Sequence, residues 1–591
     1  MTMQIDMTDE IPYENRPIVV TEPVGDVALL LGQMMRMSLP EILDRHIPRY
    51  GKQRKLSWGW TATIWLSYIL SEGDHRKISV VQYISGMINT LITVTGQPIE
   101  ILDFDDDRLS HLLRHIGNIQ IWEAIERDLS EHCIEIHKLS KEVVRCDPTT
   151  VSGHHQIKKD GVMQFGHSKD DSSLPQIKLA MASLDPLGMP LATEVVSGEK
   201  ADDGLYSGLI KRVNDTLKKD GLLFVGDCKM SALVIRAEIV ESGNFYLSPL
   251  PRTGTTANEI HKWIDIGLEK DRNGTLEPIF RENYKGETVL AACGYEFGRS
   301  KSVSISDKTI SWEERVLVIC SPVHAKQQEE ALEKRLEAAQ KEIEGLTPAV
   351  GRGKHQFREE KNLKEAINAI LKKYRVEELL NVTYEKQCKI QTRYVGKGRG
   401  SANREKREIK NVRYQIIMVD RNEDAITVTC QHFGWKAFVT NATMVALSLN
   451  DAILTYRNEY RIEQIFGRLK SYLNIAPLFV KRNDQINGLT YLLTLGIRIL
   501  TLLEFIVRRS LQADKSALPD LHPENRKRRT DKPTAERILK AFSNINLTII
   551  RNAAGNEVFR SLTPLSTVQQ SILNISPFAI ETTPNSNYIC L

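Results

Sequence analysis

From Glu142 onward the sequence alternates short apolar runs with amphipathic ones, in an order that restricts the fold more than any other stretch. EVVRCD (Glu142 to Asp147) reads as a strand ending in an aspartate. GVMQFGHS, QIKLAMASL and MPLATEVVS follow as strands, and Asp185-Pro186-Leu187-Gly188 is a hairpin turn between the last two. Asp202 to Leu217 carries a helical period. LLFVGD (Leu222 to Asp227) is a second apolar strand ending in aspartate, Ser231 to Ser242 is helical, and NFYLSPL is a further strand.

Antiparallel strands followed by helix, strand, helix and strand match the order of a ribonuclease H-like core, an α/β class. Residues 139–250 are expected to form its first part and 434–512 its second, with WKAFVTN (Trp435 to Asn441) as a last core strand. Before it, residues 1–138 read as an all-helical domain, with 3.6-period patterns at Leu29–Met37, Leu56–Leu70, Val80–Ile92 and Ile119–Leu129. Lys52, Arg54 and Lys55 precede Trp58-Gly59-Trp60. That basic edge suits either a DNA-binding helix-turn-helix or a packing module.

Residues 251–433 interrupt the core as a mostly β insertion. Strands are expected at Thr288–Tyr295, Ser302–Ser306, Arg315–Ile319, Lys389–Tyr394, Tyr414–Val419 and Ala425–Cys430. A helical hairpin occupies 325–374: Leu332, Leu336, Ala339, Ile343 and Leu346 form a coiled-coil seam on its first helix. Residues 513–591 read as a basic segment, with Arg526 to Arg529 in a row, and an irregular tail past Pro564.

Net charge is +4, so a nucleic-acid surface must come from local patches. The eight cysteines include no C-x-x-C pair, which argues against zinc knuckles and a disulfide framework and suits a reducing cytoplasm. The polar N-terminus is not a signal peptide. Leu489–Val507 is apolar enough to suggest a membrane span, but Arg498 and Glu504 interrupt it, so a buried core helix is expected and no membrane partner.

The chemistry centres on acids. YRNEYRIEQIFGRLK (Tyr456 to Lys470) reads as one helix with an apolar stripe of Ile462, Ile465, Phe466 and Leu469. Tyr456, Glu463 and Lys470 recur at seven-residue intervals on an adjoining face. Taken alone, Asp147 and Asp227 each also read as turn caps. Together with Glu463 they make three carboxylates that a ribonuclease H-like sheet would gather. Such a cluster requires cations, and hard oxygen ligands select two magnesium or manganese ions for phosphoryl transfer.

These residues resemble the DDE transposases of bacterial insertion sequences, of the insertion sequence family four superfamily with its Y-x2-R-x3-E-x6-K signature. Tyr456, Glu463 and Lys470 fit that spacing, with Glu459 where the signature carries arginine. DPTT around Asp147, GHSKDDSSLPQIKLAMA after it and VGDCKMSA around Asp227 extend the resemblance, which covers residues 140 to 510. It implies that Asp147, Asp227 and Glu463 are catalytic and bind the metals. Tyr456 and Lys470, with Arg457 and Arg461 beside the signature's arginine position, would hold DNA phosphates. Trp435 either stacks a displaced base or packs in the core. Lys397 and Arg399 fall in the run Lys389 to Tyr414, either a flexible DNA-backbone clamp or a solvated loop. Ser168-Lys169-Asp170 contacts DNA or shapes the site. His154 and His155 are close enough in sequence to Asp147 to touch it, though a loop pair has no such need.

The implied partners are double-stranded DNA, as transposon ends and target, and a second copy of the chain in a homodimer. The implied location is the cytoplasm, associated with the nucleoid. The alternatives are a DNA-binding protein of the same fold that has lost catalysis, and a ribonuclease H-like nuclease without strand transfer.

Overall fold

The structure is a computed structural model describing residues 17–49, 56–283, 286–305, 308–395, 403, 405–522, 524–525 and 527–575. Lys52, Arg54, Lys55, Lys397 and Arg399 lie outside the described residues. The chain is a mixed α/β protein that divides into two compact units. The first comprises residues 1–248, 301–312 and 455–591, and the second 249–300 and 313–454. Its strands in chain order are β1 (Ile18–Pro23), β2 (Val143–Ser152), β3 (Gln176–Asp185), β4 (Met189–Ser197), β5 (Leu223–Gly226), β6 (Phe245–Pro249) and β7 (Glu277–Glu282). They continue with β8 (Thr288–Ile305), β9 (Lys308–Cys320), β10 (Leu380–Tyr394), β11 (Lys406–Arg421), β12 (Trp435–Thr440), β13 (Asn546–Arg551) and β14 (Glu557–Leu562).

In the first unit the strands run in the order β4-β3-β2-β5-β6. β3 is antiparallel to both β2 and β4, whereas β5 is parallel to β2 and β6 is parallel to β5. β3 is buried along its whole length, as a central strand covered on both faces must be. The helices Asp203–Leu217 and Leu233–Glu241 make the crossovers that the parallel pairs require. The helix Asn483–Ala513 runs through the core of this unit. Among the described residues it alone is a single helix long and apolar enough to cross a membrane, and 89% of its most apolar window is buried inside the protein. The two charges that interrupt its apolar run are paired. Arg498, 1% exposed, donates to Ser130 Oγ at 3.1 Å, and Glu504 meets Arg508 at 2.7 Å and also Arg468. The helix Asp106–Ile116 lies against it so closely that a Cβ on Gly488 would sit 2.0 Å from the Leu113 carbonyl oxygen.

In the second unit β12-β9-β8-β7 are neighbours in that order. β12 pairs antiparallel with β9, Trp435 opposite Cys320. The helices Pro322–Gly345 and Glu360–Tyr374 bury Leu332, Leu336, Ala339 and Ile343 against Leu363, Ile367 and Ile370, so the coiled-coil period on the first helix becomes the seam of this packing. β10 and β11 form a separate two-stranded ribbon.

Several elements differ from expectation for local reasons. β2 does not stop at Asp147 but continues to Ser152, so the aspartate sits inside a strand. GVMQFGHS contributes only an isolated bridge, Gln164 to Gln176, between glycines 161 and 166. Ala425–Cys430 lies in the helix Glu423–Gln431. Its β-branched residues suggested a strand, but the Asn422 side chain caps the Ala425 N–H and two acids occupy the first turn. Val80–Ile92 divides at Gly86–Met87 into two helices, Lys77–Gly86 and Ile88–Thr95, bent by 82°. The C-terminal segment is more ordered than its composition suggests: β13 pairs with β1 and β14, and Thr567–Ile575 is helical. Tyr456–Lys470 is not one helix. Leu449–Arg457 ends, a turn at Asn458–Glu459 follows, Tyr460–Gly467 resumes, and Arg468–Tyr472 is a π-helical turn.

Candidate active site

The site is built on the parallel pair β2 and β5. Their register matches Val143 with Leu223 and Cys146 with Gly226. The next residue in each chain segment is an aspartate, Asp147 within β2 and Asp227 just past the end of β5, so the two emerge side by side at one level of the sheet. Gly226 permits this approach: a Cβ there would lie 2.7 Å from Met230 Sδ and 3.1 Å from the Cys146 carbonyl oxygen.

Helix geometry brings the third acid. Arg145, 2% exposed, projects from β2 to Asp185 Oδ2 at 2.9 Å, and its guanidinium also donates to the carbonyl of Thr455. That contact pins the end of the helix Leu449–Arg457 beside the strand. The turn at Asn458–Glu459 then swings Glu459 toward the aspartates. Arg145, Cys146, Asp147, Val225, Gly226, Asp227, Tyr456, Glu459 and Ile462 line one small void of about 10 Å³, at the lower limit of what one water needs. Glu463 lies a turn further along, its amide facing the Glu459 carbonyl at 3.5 Å, and is exposed. The structure therefore turns Glu459, rather than Glu463, toward Asp147.

The electrostatics reflect crowded carboxylates. Burial, followed by the charges of Asp227 and Glu459, pushes the Asp147 carboxyl up to about 7, against the opposing pull of Lys169. Lys169 Nζ sits 3.7 Å from Asp147 Oδ1 and donates to the Pro148 carbonyl at 2.8 Å. Asp227 Oδ1 accepts from Tyr206 Oη at 2.6 Å and from the Lys229 N–H at 2.9 Å. Burial, and then the charge of Asp227, raise the Tyr206 phenol well above its ordinary range. Tyr456 is also raised, by burial first and then by the charge of Glu459 and a hydrogen bond to it.

The remaining predicted residues fall in distinct places. Lys470 Nζ is paired with Asp170 Oδ1 at 2.7 Å, and Asp170 in turn accepts from Thr150 Oγ1 at 3.4 Å, so the Ser168–Asp170 loop lies over β2 beside Asp147. Arg457 ends the helix Leu449–Arg457. Arg461 lines a different cavity, of about 300 Å³, with Asp185, Glu504, Arg508 and Arg509, and its guanidinium lies 4.9 Å from the Tyr460 ring centroid. Trp435 is 3% exposed, its ring against Gly267, where a Cβ would come within 2.5 Å of it. His155 Nε2 is engaged with the Val480 carbonyl at 3.0 Å. Sequence reasoning missed Arg145 as the group that positions the helix. Its only signal was a charge inside an apolar strand, two residues before Asp147.

Two aspartates and a glutamate are hard oxygen donors, the set that suits magnesium or manganese. Their chemistry fits such ions. Among the described residues, however, no three His, Cys, Asp or Glu side chains are already close enough to hold one ion.

No protein-family model matches the sequence, and no curated protein matches it. Among solved structures the chain is similar to a piggyBac transposase synaptic complex with hairpin DNA, determined by cryo-electron microscopy. The identity is 8% and the TM-score 0.33, over 94% of this chain and 87% of that one. A TM-score of that size does not establish a common fold.

Proposed function

We propose that the protein is a ribonuclease H-like DDE transposase that cuts and joins DNA by metal-dependent phosphoryl transfer. The observation that carries this reading is the register of β2 and β5, which sets Asp147 beside Asp227 while Glu459 faces them from the following helical segment. The strand order β4-β3-β2-β5-β6, with β3 antiparallel and β5 and β6 parallel to one another and to β2, supports the ribonuclease H-like assignment. The large insertion between Asp227 and the last acid, with Tyr456 and Lys470 at the signature's spacing, supports transposition over simple nuclease action.

In this reading Asp147, Asp227 and Glu459 hold the divalent ions. Two such ions would supply activation of the attacking hydroxyl and charge at the leaving oxygen. Tyr206 and the Lys229 N–H fix one oxygen of Asp227 and leave the other to the metal. Arg145 keeps the Thr455–Glu459 segment against β2, so Glu459 stands near the aspartates, and a bound ion would draw the three carboxylates together. Lys169 neutralises Asp147 until ions arrive. Lys470 exchanges Asp170 for a DNA phosphate, a charge-assisted contact of the same kind. Duplex DNA is the substrate and a second copy of the chain brings the second end.

Incubation of the purified protein with magnesium and duplex DNA flanking its own gene tests the reading. Wild type is expected to cut strands at the element ends. Asp147→Asn, Asp227→Asn and Glu459→Gln are expected to cut at least about 100-fold more slowly, as loss of a metal-site group does. Equal rates in wild type and variants would sink the enzyme. Binding of the ends with no cutting by any of them would leave a DNA-binding protein.

A further inference from the structure

We infer that one face of the β10–β11 ribbon is a docking surface for the phosphates of duplex DNA, a conclusion that rests on the transposase reading for its partner. The register pairs Gln387 with Arg413, Lys389 with Asn411, Gln391 with Ile409 and Arg393 with Arg407. Side chains alternate along a strand, so these four pairs share one face. Over these pairs the face carries four cations and three amides, and its nearest carboxylate, Glu385, lies one pair further toward the base, where it accepts from Gln387 Nε2 at 2.6 Å. The opposite face is less cationic and more apolar: Lys386, Lys410 and Lys406 alternate there with Cys388, Val412 and Ile390, Glu408 lies opposite Thr392, and Lys406 stands 5.5 Å from the Tyr394 ring centroid.

Arg393 directly opposite Arg407 is unfavourable for the ribbon alone, since like charges across a pair repel. Both are exposed, and among the described residues neither they nor Lys389 forms an ion pair. Arg413 does have partners. It donates to the carbonyls of Thr347 at 3.3 Å and Pro348 at 3.1 Å, tying the base of the ribbon to the end of the helix Pro322–Gly345. The ribbon is therefore anchored at one end and cationic beyond it. An anion between the two guanidiniums would remove the repulsion. Their planar donor forks, together with neighbouring amides, match phosphate oxygens bidentately. A two-stranded ribbon also has the width of a DNA major groove.

The test is fluorescence anisotropy of the full-length protein with a random-sequence duplex, in EDTA, over a range of salt. For Arg393→Ala/Arg407→Ala the dependence of log affinity on log salt is expected to become shallower by about two, one for each phosphate that the variant no longer neutralises. Arg407→Glu is expected to weaken binding similarly without lowering the melting temperature, because it places opposite charges across the pair. That combination separates a binding role from a structural one. An unchanged salt slope overturns the inference. So does loss of labelled polyglutamate binding in these variants while duplex binding persists, which would mark an acidic-protein surface. Ribbon-dependent binding with no cutting in magnesium ends the catalytic reading and keeps this one. Cutting with an unchanged slope does the reverse.

Discussion

Asp147 and Asp227 show how far single residues go toward building a site. Each ends a run of apolar residues, and only the parallel register of the two strands converts them into neighbours. Their adjacency was legible because strand order is written in hydrophobic pattern, although β2 runs on past Asp147. Glu459 was not. The seven-residue spacing of Tyr456, Glu463 and Lys470 selects one face only if the helix is continuous, and the turn at Asn458–Glu459 breaks that assumption. Arg145 is the residue whose removal tells most about this arrangement. Arg145→Leu leaves Asp185 buried without its partner and is expected to destabilise the protein by about 3–5 kcal/mol. Arg145→Leu/Asp185→Leu should recover much of that loss. Cutting should remain slow in the double variant, because the Thr455 carbonyl is still without its anchor. Urea denaturation and the cleavage rate, measured on the same preparations, separate the two effects.

Elements are decided by competition between pattern and local chemistry. The helical seam at Leu332, Leu336, Ala339 and Ile343 was readable because both its period and its burial come from the same residues. The segment Ala425–Cys430 was misread because β-branched composition was outweighed by a capped helix start. The crossing of Asp106–Ile116 with Asn483–Ala513 was invisible in sequence, since a glycine inside an apolar helix does not announce its neighbour. Gly488→Ala inserts a methyl where the Leu113 carbonyl already lies 2.0 Å from the Cβ position. The backbones must separate, at a cost of at least about 1–3 kcal/mol. Gln512→Ala, at an exposed position in the last turn of the same helix, should stay within about 0.5 kcal/mol of wild type. Thermal denaturation of both variants checks this.

At the scale of the whole molecule, a near-neutral chain carries its chemistry in local concentrations of charge. Carboxylates gather at the sheet, and cations gather on one face of a ribbon. Burial of ionisable groups in the first unit also sets its acid tolerance. His137 is fully buried, neither ring nitrogen has a partner among the described residues, and burial, with Arg36, Arg509 and His132 nearby, lowers its pKa to about 4. The unfolded chain binds a proton near pH 6.5 that the folded one refuses, so its contribution is complete above that pH and is lost as pH falls to about 4. The loss is on the order of 2–3 kcal/mol, and His137→Leu should flatten that part of the melting-temperature profile. Asp147 within β2, Asp227 just past β5 and Glu459 in the turn between two helices, however, remain the centre of the account. Manganese binding, followed by electron paramagnetic resonance without DNA, tests them most directly. The account predicts tight manganese binding by wild type and by Glu463→Gln, and its loss in Asp147→Asn, Asp227→Asn and Glu459→Gln. Binding abolished in Glu463→Gln but retained in Glu459→Gln would contradict it.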